Sequence, residues 1–227
     1  MEGEPVKHAY SVWAIPPENV RERLKKLMLA LRSEFGGPEF EPHITVVRAI
    51  SLTEDDALDK FRAACHGVKP YTATVEKVAI GTSCVFLLLH PTSEQSRMGL
   101  NQLALASLAR TSQLGGQEFE SPFSGCDVPP QTKRVEWVSN FLAEASSHCT
   151  GHFGHKTSTP YMPHLSLLYE DLSDEEKKKA QEKANVLDES IGNLSFEVTR
   201  LALYETNPED KTLKSWKKIA ECNLDAN

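Results

Sequence analysis

Two short segments of this sequence carry residues able to do chemistry together. Pro42-His43-Ile44-Thr45-Val46 and Pro163-His164-Leu165-Ser166-Leu167 share one pattern: proline, histidine, aliphatic, hydroxyl, aliphatic. The alternation reads as strand, and in a strand residues i and i+2 point to the same side. His43 and Thr45 therefore share a face, as do His164 and Ser166, while Ile44, Val46, Leu165 and Leu167 turn to the core. Facing one cleft, the strands supply two imidazoles and two hydroxyls, without metal ligands or an obvious nucleophile. That inventory suits hydrolysis of a phosphodiester. Histidine, with an ordinary pKa of about 6.5, can stand neutral in one copy and protonated in the other near neutral pH. One ring takes a proton from the attacking water and the other gives one to the departing oxygen. The hydroxyls donate to the non-bridging oxygens as their charge grows. Such a pair predicts a bell-shaped pH dependence, and the copies are too alike in sequence to say which histidine is acid and which is base.

The surroundings of each histidine repeat as well. Ten residues past His43 stands Thr53, opening Thr53-Glu54-Asp55-Asp56; nine past His164 stands Ser173, opening Ser173-Asp174-Glu175-Glu176. The second is a capping box and the first its near relative, so helices are predicted over 54–64 and 174–187. Alternating segments follow at 71–78 and 194–201 and read as strands. Ahead of His43, a strand over 10–15 ends at Pro16-Pro17. A helix then carries Leu24, Leu27, Met28 and Leu31 at i, i+3, i+4 and i+7, stopped by Gly36-Gly37-Pro38. The second copy has a strand over 84–89, a helix over 135–147 and the histidine strand over 162–168. Each half thus reads strand, helix, histidine strand, helix, strand. One segment breaks the symmetry: residues 95–134, rich in Gln, Ser and Gly, are too long for an ordinary connection. They are a surface excursion, a disordered segment or a fault in how the coding sequence was assembled.

The 227 residues carry 25 Lys and Arg against 32 Asp and Glu, a net charge of −7, which argues against a protein that grips long nucleic acid. The longest apolar run, Val85-Phe86-Leu87-Leu88-Leu89, is too short to span a membrane, and the acidic start is no secretory signal. Five cysteines (65, 84, 126, 149 and 222) with no CxxC pair suggest a reduced, cytoplasmic setting; whether Cys65 and Cys222 meet is open. His148, Cys149, His152 and His155 have spacings that zinc uses, but the segment reads as a Gly-rich loop with no recurring partner, so no metal site is assigned.

On the paired His-Ile-Thr and His-Leu-Ser, the chain resembles the 2H phosphoesterase superfamily, whose signature is HxT/S. The longer runs Tyr10-Ser11-Val12-Trp13-Ala14, Glu41-Pro42-His43-Ile44-Thr45-Val46 and Thr159-Pro160-Tyr161-Met162-Pro163-His164-Leu165-Ser166-Leu167-Leu168-Tyr169 are similar to the plant cyclic phosphodiesterases within it. The likeness runs over about residues 8–223, apart from 95–134. It implies an α+β bilobal fold, two pseudo-twofold-related antiparallel-sheet lobes with outer helices and a central cleft, as one domain over 1–227 with an insertion at about 95–134. It also implies hydrolysis of ADP-ribose 1″,2″-cyclic phosphate to ADP-ribose 1″-phosphate, downstream of tRNA splicing, and of nucleoside 2′,3′-cyclic phosphates to 2′-phosphates, without a metal or other cofactor. The matching positions are His43 and His164 for catalysis, Thr45 and Ser166 for phosphate binding, and Tyr169 as a phosphate contact. Trp13 on the first strand is read as a cleft wall that stacks on a base or ribose. Arg48, five residues past its histidine as Tyr169 is past His164, is read as facing solvent. The expected partner is a small cyclic phosphate met by a monomer, with no long nucleic acid and no membrane. A non-catalytic module binding phosphorylated nucleotides is the alternative; it would not require both imidazoles.

Overall fold

The computed structural model describes residues 5–90, 141–154 and 162–224; residues 95–134 lie outside them. Strand β1 (His8–Ala14) ends at Pro16-Pro17 and leads into helix α1 (Glu18–Phe35). The apolar stripe of α1 (Val20, Leu24, Leu27, Met28 and Leu31) is buried, and Gly36 closes the helix with a φ of 81° and its N–H on the Arg32 carbonyl. Strand β2 (Ile44–Leu52) follows, then helix α2 (Glu54–Cys65), whose cap is the Thr53 hydroxyl accepting from the Asp56 N–H. Strands β3 (Tyr71–Ile80) and β4 (Cys84–Leu89) form a hairpin. Helix α3 (Phe141–His152) and strand β5 (His164–Tyr169) precede helix α4 (Asp174–Leu187), which starts in a full capping box between Ser173 and Glu176. Strands β6 (Ser195–Val198), β7 (Arg200–Glu205) and β8 (Lys217–Asn223) complete the order.

The strands join in one antiparallel sheet of order β6-β3-β4-β5-β2-β1-β7-β8. At its middle β2 and β5 share a single pair, Ile44 with Leu165, so the sheet divides there into two four-stranded lobes. The lobes are not the two halves of the chain. Strand β3, which ends the first repeat, pairs with β4 of the second, and β7, from the second, pairs with β1 of the first. The helices exchange likewise: α1 packs on β5 and α4, and α3 packs on β2 and α2. Each repeat therefore buries its apolar stripe against the other, and one continuous core runs beneath both lobes.

Two expectations change. The strand predicted over 194–201 is two strands, because the chain crosses at Thr199 from the edge beside β3 to the strand beside β1. The segment bearing His148, Cys149 and His152 is helix, not loop: α3 runs through His152, turning Cys149 into the core and His148 outward to the His66 carbonyl at 3.1 Å. His155 lies outside the described residues. Among those described, no group of three His, Cys, Asp or Glu is arranged to hold a metal ion, and no helix is long and apolar enough to cross a membrane. Cys65 at the end of α2 meets Cys222 on β8 as free thiols in hydrogen-bonding contact, and burial pushes the Cys65 thiol up.

Candidate active site

The pair Ile44–Leu165 orients everything around it. Both side chains are fully buried, so their neighbours along the strands face the opposite side, over the cleft. Antiparallel register about this pair sets His43 across from Ser166 and Thr45 across from His164. Each histidine is thus beside the hydroxyl of the other repeat. In a regular antiparallel pair the two histidines would be diagonal neighbours about 7 Å apart, which leaves room for a phosphate between the rings.

The proline before each histidine has a local consequence. It restricts the residue ahead of it, Glu41 or Met162, to extended backbone. The carbonyl of that residue then meets the imidazole two positions on: His43 Nδ1 lies 2.6 Å from the Glu41 oxygen and His164 Nδ1 lies 3.0 Å from the Met162 oxygen. A carbonyl only accepts, so both Nδ1 atoms carry hydrogen and both Nε2 atoms are left for chemistry. The strand next door backs each ring with an aromatic. Trp13, paired in register with Thr45, stacks on His43 at 3.6 Å between centroids and 9° between planes. Phe86, paired with Ser166, meets His164 edge-on at 5.3 Å.

The repeats share one further device. Opposite β4, Leu167 is an extra residue in β5, and opposite β1, Val46 is an extra residue in β2. Such bulges shift the alternation by one. Leu167 and Leu168 therefore both enter the core, and Tyr169, at an odd distance from His164, comes to the side of Ser166 and hydrogen-bonds to it. Strict alternation would have turned Tyr169 away from that side. Burial pushes the Tyr169 hydroxyl up, and its ring packs on Phe40 at 4.7 Å. Arg48, the counterpart of Tyr169 in the first repeat, is exposed.

Packing breaks the symmetry. His43 is 5% exposed, enclosed by Trp13, Phe40 and the Trp216 edge, whereas His164 is half-buried. Desolvation pulls the His43 pKa from 6.5 to about 4; the Glu41 carbonyl opposes the shift and the charge of His164 adds to it. His43 is therefore neutral at pH 7. Below about pH 6.5 the unfolded chain takes up a proton that folded His43 refuses until about pH 4, so stability falls with pH across that window. Urea titrations should show wild type losing about 3 kcal/mol more than His43→Gln between those limits.

The structure brings His43, Thr45, His164, Ser166 and Tyr169 to one cleft, but gives Trp13 a different place from the one expected. Trp13 is 2% exposed, with His43 on one face and Tyr204, at 3.8 Å, on the other. Both faces of the indole are covered, so Trp13 backs His43 and borders the adjoining cavity of Phe40, Tyr204 and Trp216 only by its edge. Sequence reasoning did not reach Phe40, Tyr204, Trp216 or the two carbonyls. Only the carbonyls had a local signal, the Pro-His pair in both copies.

The chain is similar to known proteins in sequence and in fold. Residues 8–87 match the family model described as cyclic phosphodiesterase-like protein. The chain is 45% identical to the cyclic phosphodiesterase of Arabidopsis thaliana, over 96% of each. Its fold is similar to that of E. coli LigT complexed with 3′-AMP, with a TM-score of 0.53 and 12% identity over 96% of this chain and 98% of that one. It is similar too to a phosphoesterase structure, with a TM-score of 0.52 and 11% identity over 97% and 99%. At such identities the two structures speak to fold alone.

Proposed function

The chain belongs to the cyclic phosphodiesterase family of 2H phosphoesterases, and from that premise we propose that it opens cyclic phosphates fused to ribose by two-histidine acid–base catalysis without a metal. The substrates are ADP-ribose 1″,2″-cyclic phosphate, giving ADP-ribose 1″-phosphate, and nucleoside 2′,3′-cyclic phosphates, giving 2′-phosphates. The observation that carries this reading is the pair of imidazoles, each with Nδ1 held on a backbone carbonyl and Nε2 left over, set diagonally across one strand pair.

His43, buried and neutral at pH 7, acts as the base: its Nε2 takes a proton from the water attacking phosphorus. His164, on the more open side, donates from Nε2 to the ribose oxygen as it leaves. Burial keeps His43 deprotonated, with repulsion from His164 adding to it, as a base poised to accept a proton requires. The Thr45 and Ser166 hydroxyls donate to the non-bridging oxygens, and Tyr169 orients Ser166. After turnover the protons sit reversed, and exchange with water restores them.

Incubation of the full chain with each substrate in the presence of EDTA, with products followed by phosphorus NMR, tests this. Undiminished turnover to the 1″-phosphate and the 2′-phosphate is expected. No turnover, loss of turnover with EDTA, or a 3′-phosphate product would each contradict the proposal.

A further inference from the structure

The two imidazoles and two hydroxyls account for one phosphate, and the register of the sheet shows what lies beyond it on the His164 side. Leu88 of β4 pairs with His164, and Lys77 of β3 pairs with Leu88. Residues directly opposite one another in antiparallel strands share a face, so Lys77, Leu88 and His164 form one lateral row over the cleft. Neighbouring strands lie about 4.8 Å apart, which sets the Lys77 and His164 backbones about 10 Å apart. Leu88 is half-buried and Lys77 exposed. The apolar floor beside His164 therefore ends in an ammonium whose long, flexible stem can fold back over it.

The other repeat has the same cation but neutralises it. Val75-Glu76-Lys77-Val78 corresponds to Val198-Thr199-Arg200-Leu201. The Arg200 carbonyl accepts from the Ile15 N–H at 3.1 Å, and Ala14, beside Ile15, pairs with Ile44, beside His43. Arg200 thus stands two strands out from His43, as Lys77 stands two strands out from His164. Arg200, however, is half-buried and tied to the Glu221 carboxylate at 3.0 Å. Among the described residues Lys77 holds no ion pair, not even with Glu76, the extra residue of the bulge beside it. In a chain of net charge −7, an unpaired cation on the cleft face is where a second anionic group of a substrate can settle.

The chemistry of the proposed reaction decides which part of a substrate comes to that side. Opening a nucleoside 2′,3′-cyclic phosphate to the 2′-phosphate breaks the bond from phosphorus to O3′, the oxygen that His164 protonates. C3′ leads directly to C4′ and C5′, so the 5′ substituent extends on the His164 side of the phosphorus. In ADP-ribose 1″,2″-cyclic phosphate the departing O2″ likewise leads around the ring to C5″, which bears the diphosphate.

We propose that Lys77 binds a phosphate carried on C5 of the substrate ribose, so that the cleft selects cyclic phosphates whose ribose is also 5-phosphorylated over those with a free 5-hydroxyl. The proposal rests on the reading that the His43–His164 cleft opens ribose cyclic phosphates with His164 as the acid. Calorimetric titration with the two corresponding products, adenosine 2′-phosphate and adenosine 2′,5′-bisphosphate, tests it without requiring turnover. On wild type the bisphosphate should bind about fivefold more tightly, the effect of one exposed charge pair. In Lys77→Met that preference should vanish, and Lys77→Arg should restore it. Removal of an equal charge on the outer helix α4, Lys178→Met, should leave the preference as in wild type. The ratio of kcat/KM for adenosine 2′,3′-cyclic phosphate with and without a 5′-phosphate should follow the same order. No preference in wild type, a preference kept in Lys77→Met, or an equal loss in Lys178→Met would each overturn the contact. Selective binding with no turnover of any cyclic phosphate would support the contact and count against the proposed function alone.

Discussion

Alanine at His43 or at His164 is expected to lower kcat on a 2′,3′-cyclic nucleotide by about 10² to 10⁴-fold. The two single losses should be of similar size, and the double variant should fall little further, because removal of either ring already breaks the proton relay. The variants differ in what else they disturb. His43 fills space among Trp13, Phe40 and Trp216, so its removal leaves a buried gap and a lower melting temperature. His164 is half-buried and touches Phe86 only by an edge, so its removal should leave the melting temperature near wild type and isolate the chemistry. Activity above a tenth of wild type in a folded His164→Ala protein would sink the mechanism. The pH profile gives a second check. The base works only when neutral, so the acid limb of kcat/KM should fall near pH 4, where buried His43 takes up its proton, and not near 6.5. The bell shape expected of two exposed imidazoles is thereby stretched on its acid side, with its alkaline limb set by loss of the acid's proton. A wild-type acid limb at 6.5 would contradict assignment of His43 as base.

Gly37→Ala is expected to cost about 2–4 kcal/mol of stability and most of the activity. Gly37 has a φ of 97°, and a Cβ there would drive into the backbone carbonyl oxygen of Tyr169 and press on the Leu168 side chain. Relief requires the chain after α1 to lift away from β5. That stretch carries Phe40 against Tyr169 and the Glu41 carbonyl that holds His43 Nδ1, so lifting it loosens the contact between lobes and the orientation of His43 together. Gly36→Ala is the control. Gly36 also has positive φ, but a Cβ there meets only the end of the Glu170 side chain at 3.5 Å, so a loss of about 1 kcal/mol with retained activity is expected. Urea midpoints and kcat/KM on the two variants separate the cases. Equal effects at both positions would show that φ alone matters and that the close approach to Tyr169 does not.

Much of this site was legible because its parts are local. The two His-x-Thr/Ser strands, the Thr53 and Ser173 caps and the α1 stripe depend on residues within one turn or one strand, where periodicity and hydrogen bonding act directly. The repeat then made a weak motif strong, since a lone histidine beside a hydroxyl says little. Other features had no local signal. The crossing at Thr199, which turns one apparent strand into two, follows from which edges are open once both lobes exist. Strand β8 mixes Lys217, Lys218, Glu221 and Asn223 with Ile219, Ala220 and Cys222 in no strict alternation, and it forms where β7 offers it an edge.

What the residues determined by themselves is the inventory: two imidazoles, two hydroxyls and a proline before each histidine. What only the tertiary structure decided is how those equivalent copies become unequal. Bulges at Val46 and Leu167 bring Arg48 and Tyr169 to equivalent positions, but one stands in solvent and the other binds Ser166. Tyr204 covers the face of Trp13 that sequence reasoning offered to substrate, and the aromatic enclosure of His43 lowers its proton affinity while His164 stays open. Desolvation depends on everything packed around a group, most of it distant along the chain, so a sequence repeat can specify two identical histidines but not which of them is held neutral.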